Sequence, residues 1–115
     1  MNDKEKYELI KFTDGNFSLD VKVSPNEDTV WLTQEEMASL FEVDRSRIVR
    51  HINNIYNDGE LDLVSTCAEN AQVQFEGNRI IKRMVKIYNL DMIIFVGYRV
   101  NSRRALCFED GQIKY

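Results

Sequence analysis

Histidine and cysteine are scarce in this chain. Its 115 residues include one His and two Cys, and Cys67 and Cys107 lie forty positions apart, outside any C-x-x-C spacing. That scarcity argues against a disulfide framework, a zinc site of usual ligand spacing and a His-based catalytic set. Two reduced thiols, at least one of them buried, are expected instead. Apolar runs are short as well: the longest, Met92 to Val96, spans five residues, far below the roughly 18 that argue a membrane span. The opening MNDKEKYE carries no apolar signal-peptide segment, so a cytoplasmic protein with no membrane partner is expected. No internal repeat or low-complexity segment is visible.

A chain of 115 residues with a hydrophobic share of 43% fits one domain around one core, large enough to fold without metal or crosslink. The formal charge is −4, but it is unevenly spread: residues 1–44 carry four Lys against eleven acids. Residues 79–104 carry seven cations, Arg79, Lys82, Arg83, Lys86, Arg99, Arg103 and Arg104, against Asp91 alone. Such bipolarity permits a polyanion on one face, while the acidic half weakens long-range steering towards it. A solvated surface with clustered charges fits the same arithmetic.

Residues 7–23, YELIKFTDGNFSLDVKV, alternate with period two and set Phe17, Leu19, Val21 and Val23 on one face. A β-hairpin with a type I′ turn at Asp14-Gly15 is expected there. Ser24-Pro25-Asn26 breaks the chain, and Thr29-Val30-Trp31 reads as a short strand. Thr33 followed by Gln34-Glu35-Glu36 has the form of a capping box, opening a helix with Met37, Leu40 and Phe41 as its apolar stripe. After Glu42-Val43, Asp44 is expected to cap a second helix that ends at Asp58-Gly59. Residues 60–70 show no period and read as a loop anchored by Leu61 and Leu63. A second hairpin follows, turning at Gly77-Asn78. Asn89 then caps a helix from Leu90 to Val96 that Gly97 ends, and Ser102 opens a last short helix through Phe108.

Two helices joined by so short a connection have the form of a helix-turn-helix. Met37, Ala38, Phe41, Val43, Ile48 and Ile52 would share a small core that holds the second helix rigidly. At 100° per residue its exposed arc is read as Arg45, Ser46, Val49, Arg50 and Asn53. These suit base edges: the Arg fork matches guanine, Asn pairs with adenine and Val meets a thymine methyl. Thr33, Arg47 and Asn54 are assigned to phosphates, and His51 to phosphate or framework. The second hairpin adds Arg79, Lys82, Arg83 and Lys86 as phosphate contacts of a wing. Alternation divides them, Lys82 and Lys86 on one face, Arg79 and Arg83 on the other. A solvated basic helix and a sheet edge kept soluble by cations are the plainer accounts. Asp44 repels phosphate unless it reads a cytosine amino group, and Glu42 stands where such turns often use Gly.

The runs TVWLTQEEMASLF, RSRIVRHINNIYNDGELD and YNLDMIIFVGYRVNSRRA resemble the RhuM family of virulence-associated and mobile-element proteins, over about residues 27–108. The resemblance implies a regulatory DNA-binding module of bacterial genomic islands and prophages, akin to phage antirepressor domains, with no catalytic residue. It places the helix-turn-helix on residues 33–56, with Trp31, Met37, Phe41 and Ile48 as framework and Asn89-Leu90-Asp91 opening a packing helix. The chain departs from the family at EDGQIKY, where members commonly continue into a long helix.

The expected architecture is α+β: a winged helix-turn-helix-like single domain with an N-terminal hairpin and strand over residues 7–31. The helix-turn-helix then spans 33–57, the wing hairpin 71–88 and the C-terminal helices 89–108. The expected function is sequence-specific double-stranded DNA binding by a transcriptional regulator, with no enzyme activity, metal or cofactor. The alternative is a protein-interaction module, an inhibitor or antirepressor binding a host protein through its acidic face. A palindrome reader of this size is expected to form a homodimer, although no heptad seam supplies one.

Overall fold

The computed structural model of the protein describes residues 8–24 and 29–104. In chain order the elements are β1 (Glu8–Asp14), β2 (Phe17–Ser24), β3 (Thr29–Thr33), α1 (Gln34–Phe41), α2 (Arg45–Asn57), α3 (Leu63–Thr66), β4 (Cys67–Glu76), β5 (Arg79–Tyr88) and α4 (Leu90–Arg99). Among the described residues, four helices and a five-stranded antiparallel sheet of order β1-β2-β3-β5-β4 make the α+β fold that was expected.

Both hairpins turn on Gly-Asn. Asp14 pairs with Phe17 and Glu76 with Arg79, and Gly15 and Gly77 each adopt φ +62°, which glycine does without steric cost. The first turn is therefore Gly15-Asn16 rather than Asp14-Gly15. Asn16 is not at positive φ, so the expected type I′ geometry, which needs positive φ at both central residues, is not formed.

β3 joins the hairpins, pairing Val30 with Val23 on one side and Leu32 with Tyr88 on the other. Alternation then sets Phe12, Val21, Val23, Val30, Leu32 and Tyr88 on one sheet face. They meet Met37, Leu40 and Phe41 of α1, Ile48, Ile52 and Ile55 of α2, and Met92, Ile93 and Val96 of α4 in a single hydrophobic cluster. Trp31 is buried on the opposite face of β3, outside that cluster.

Residues 60–70 differ from the expected loop. Asp62 Oδ2 accepts the Ser65 N–H at 3.1 Å and opens α3, and β4 already begins at Cys67. Leu61 packs against the core, but Leu63 is exposed. The anchor is Thr66: its hydroxyl donates to the Asp62 carbonyl at 2.6 Å, and the Tyr56 hydroxyl lies 2.8 Å away.

α4 also runs on through Gly97, which is buried within it. The left-handed residue is Asn101 at φ +61°. Asn101 N–H reaches Tyr98 O at 3.1 Å and Ser102 N–H reaches Gly97 O at 2.9 Å, a Schellman closure that satisfies the last carbonyls. The helix expected to run through Phe108 lies beyond Arg104, outside the described residues, as do Tyr7 and the Pro25-Asn26 break. Among the described residues, no helix is long and apolar enough to cross a membrane.

Candidate nucleic-acid interface

The α1–α2 pair is fixed at both ends of α1. Thr33 Oγ1 accepts the Glu36 N–H at 3.1 Å while Glu36 Oε1 accepts the Thr33 N–H at 2.8 Å, completing the expected capping box. At the other end Glu42 takes the left-handed conformation, φ 60° and ψ 46°, and Val43 N–H reaches Ala38 O at 3.1 Å. The turn is thus the one glycine favours, made by a glutamate. Arg104 braces it, donating from Nη1 to Leu40 O at 2.7 Å and from Nε to Asp14 Oδ2 at 2.8 Å. Its Nη2 lies 3.4 Å from Glu42 Oε2, and its guanidinium stands 4.4 Å from the Phe17 ring centroid. Asp44 occupies the N-cap position of α2, but its side chain makes no capping bond. Being exposed, the carboxylate and the first-turn amides can both be satisfied by solvent.

α2 buries Ile48, Ile52 and Ile55. Ser46, Arg50 and Asn53 are exposed on the far side, with Arg47 and Asn54 exposed beside them. Among the described residues neither Arg47 nor Arg50 forms an ion pair. Val49 is half-buried. Arg45 departs from the expected arc: seven residues before Ile52, it falls within about 20° of that side chain and about 50° from the mean buried direction of Ile48, Ile52 and Ile55. Its exposure comes from its place at the start of the helix, where Nη2 donates to Gln34 Oε1 at 3.1 Å.

Arg45 thereby faces the second hairpin. With Thr33, Gln34 and Glu35 it forms one wall of a cleft of about 620 Å³, whose other wall is Gln72, Gln74, Arg83, Met84, Val85 and Lys86. The structure so brings Arg45 together with Arg83 and Lys86, and leaves Arg79 and Lys82 exposed elsewhere on the hairpin. Arg83 also lies 2.9 Å from Glu76 Oε2 in a half-exposed pair, a contact that is worth little in water. The glutamines of this cleft escaped the sequence assignment. Their signal was the alternation in AQVQFE, which puts Gln72 and Gln74 on one face, and Gln72 pairs with Arg83.

Two titratable groups support this surface from beneath. Tyr88 accepts a hydrogen bond from Gln34 Nε2 at 3.2 Å, and burial, then the neighbouring Cys67, push its pKa up to about 12. It is a neutral strut at any physiological pH. His51 has both ring nitrogens buried with no hydrogen-bond partner among the described residues. Burial first, then Arg50, Arg47 and Arg99, holds its pKa below the ordinary imidazole value. Neither ring nitrogen is presented to solvent.

The segments that carry the family resemblance downstream of α2 are caps and ties. Asn89 Oδ1 accepts the Met92 N–H at 3.2 Å to open α4, while its Nδ2 donates to Ser65 O at 3.2 Å. Arg99 Nη2 reaches Glu60 Oε1 at 3.0 Å and Asp58 Oδ2 at 3.5 Å, binding α4 to the turn after α2. Residues 65–111 match the family model described as Virulence protein RhuM family, the family that the sequence resembles. The matched segment begins after α2. No curated protein and no solved structure matches the chain.

Proposed function

We propose that the protein is a sequence-specific double-stranded DNA-binding module of winged helix-turn-helix type, with α2 in the major groove and the β4–β5 hairpin as its wing. The observation that carries this is the state of Arg47 and Arg50. Both are exposed, neither is paired to a carboxylate among the described residues, and Ile48, Ile52 and Ile55 fix the helix that bears them. Guanidinium groups held this way are pre-positioned, so little ordering entropy opposes contact. Ser46, Arg50 and Asn53, with Val49 at their margin, are the base-reading set; Arg47 and Asn54 hold flanking phosphates. Arg45, Arg83 and Lys86 would cradle a strand backbone in the cleft, where Thr33 adds only the hydrogen of a hydroxyl whose oxygen already accepts in the cap. A regulatory role of phage or genomic-island kind is what the resemblance to the RhuM family implies.

Fluorescence anisotropy on DNA selected from a random pool tests this. Arg50→Ala is expected to weaken binding by about 1–3 kcal/mol, roughly 5- to 150-fold, with a thermal melt like that of the parent. Unchanged affinity in that variant overturns the assignment of α2 as reader. Docking of a host protein on an acidic N-terminal face has less support. Of the three described acids on the first hairpin, Asp14 lies 2.8 Å from Arg104 and Asp20 lies 3.2 Å from Lys11, which leaves Glu8.

A further inference from the structure

β4 closes one end of the sheet, so among the described residues the outward N–H and C=O groups of this strand meet no neighbour. Sheets ordinarily blunt such an edge with lysine, proline, a bulge or brevity. β4 has none of these: it is ten residues long, pairs with β5 without a break, and carries no charge from residue 70 to residue 75, Asn-Ala-Gln-Val-Gln-Phe. On one face the β4 row is apolar and exposed. Val73 is 59% and Phe75 77% accessible, beside Ile80 at 68% and Met84 at 61% on β5. Phe75 stands across from Ile80, Val73 across from Lys82 and Ala71 across from Met84, so the apolar row of β4 is backed on β5 by Ile80 and Met84 with Lys82 between them.

We propose that this edge binds a second copy of the chain, β4 against β4, antiparallel about Val73. An edge of unpaired backbone groups calls for a strand, and this strand complements itself. Pairing about Val73 sets Val73 against its own copy and Ala71 of each chain against Phe75 of the other, small against large. Gln72 meets Gln74 on the opposite face, where their amides can bond. Glu76 falls opposite Asn70 and Glu69 opposite Gly77, so no two carboxylates stand directly across from each other, an arrangement that would cost stability. A slip of one residue would put the apolar row of one copy on the glutamine face of the other. Directly opposed residues point to one side, so the twofold stands perpendicular to the sheet. The α1–α2 pairs of both copies then lie on the same side of a ten-stranded sheet. The dimer does not rest on the DNA reading, although it would present two reading helices to one duplex.

Sedimentation of the full chain without DNA tests the proposal. A reversible, concentration-dependent dimer is expected. Val73→Lys, which sets two ammonium groups face to face at the twofold, is expected to be monomeric and to melt where the unaltered chain melts when dilute enough to be monomeric. Hydrogen exchange on the unaltered protein reads the same contact without a variant: the outward amides of β4 are expected to gain protection as concentration rises. A chain that stays monomeric at its highest soluble concentration overturns the proposal. So does a dimer that leaves those amides unprotected.

Discussion

His51 is the one imidazole of the chain, and it sits where a proton is unwelcome, buried and within reach of the fields of Arg50, Arg47 and Arg99. Its folded pKa lies below the ordinary 6.5. Between those two values the unfolded chain binds more protons than the folded one, so stability rises with pH across that window. The contribution is complete above about pH 6.5 and is lost as the pH falls towards the depressed folded value. His51→Gln is expected to flatten this segment of a plot of melting temperature against pH; an unchanged slope there would assign the acid sensitivity to carboxylates instead. Arg104 is a different kind of key residue, since one side chain joins the β1–β2 turn, the end of α1 and the left-handed Glu42. Arg104→Ala is expected to cost about 1.5–3 kcal/mol, the range for hydrogen bonds to a charged group. Arg104→Lys should recover little of it in chemical denaturation, because an ammonium cannot reproduce the planar fork or its stacking on Phe17.

At the scale of elements, Thr33 separates a structural role from a functional one. It closes the capping box and also lines the cleft, so Thr33→Ala is expected to lower stability by about 1 kcal/mol. Thr33→Ser, which keeps the oxygen, should restore both the melt and DNA affinity. If Ala weakens binding no more than its loss of stability explains, Thr33 is a cap only. The same box shows what the sequence made legible. Local rules carried far: TQEE named the start of α1, the isoleucine spacing named the buried side of α2, and Gly77-Asn78 named the second turn. Failures came where tertiary partners decided. Gly97 looked like a stop, yet α4 continues until Asn101 accepts the left-handed turn. Leu63 looked like an anchor, but Thr66 does that work through Tyr56, a partner ten residues away. Arg45 looked to lie on the exposed arc; at the start of α2 it turns to Gln34 and the hairpin, and only the placement of β4–β5 revealed the cleft they share.

For the molecule as a whole, the proposed DNA binding meets a difficulty of sign: a chain of formal charge −4 must approach a polyanion. Long-range steering is weak for such a body, so affinity must come from cations that reach phosphates at contact distance, within a Debye length of about 8 Å in physiological salt. The hairpin supplies them on opposite faces, Lys82 and Lys86 on one and Arg79 and Arg83 on the other, as alternation through β5 requires. A duplex seated against one face cannot engage all four equally. The dependence of log affinity on log salt measures how many are used, because each phosphate neutralised contributes about 0.9 to the slope. Arg83 and Lys86 line the cleft with Arg45, whereas Lys82 does not. Replacing Lys86 by Gln is therefore expected to lower the slope by about 0.9 while leaving the preferred sequence unchanged. Replacing Lys82 by Gln should alter neither. Equal loss from both variants would mean that the strand lies along the face of the hairpin which Lys82 and Lys86 share, outside the cleft.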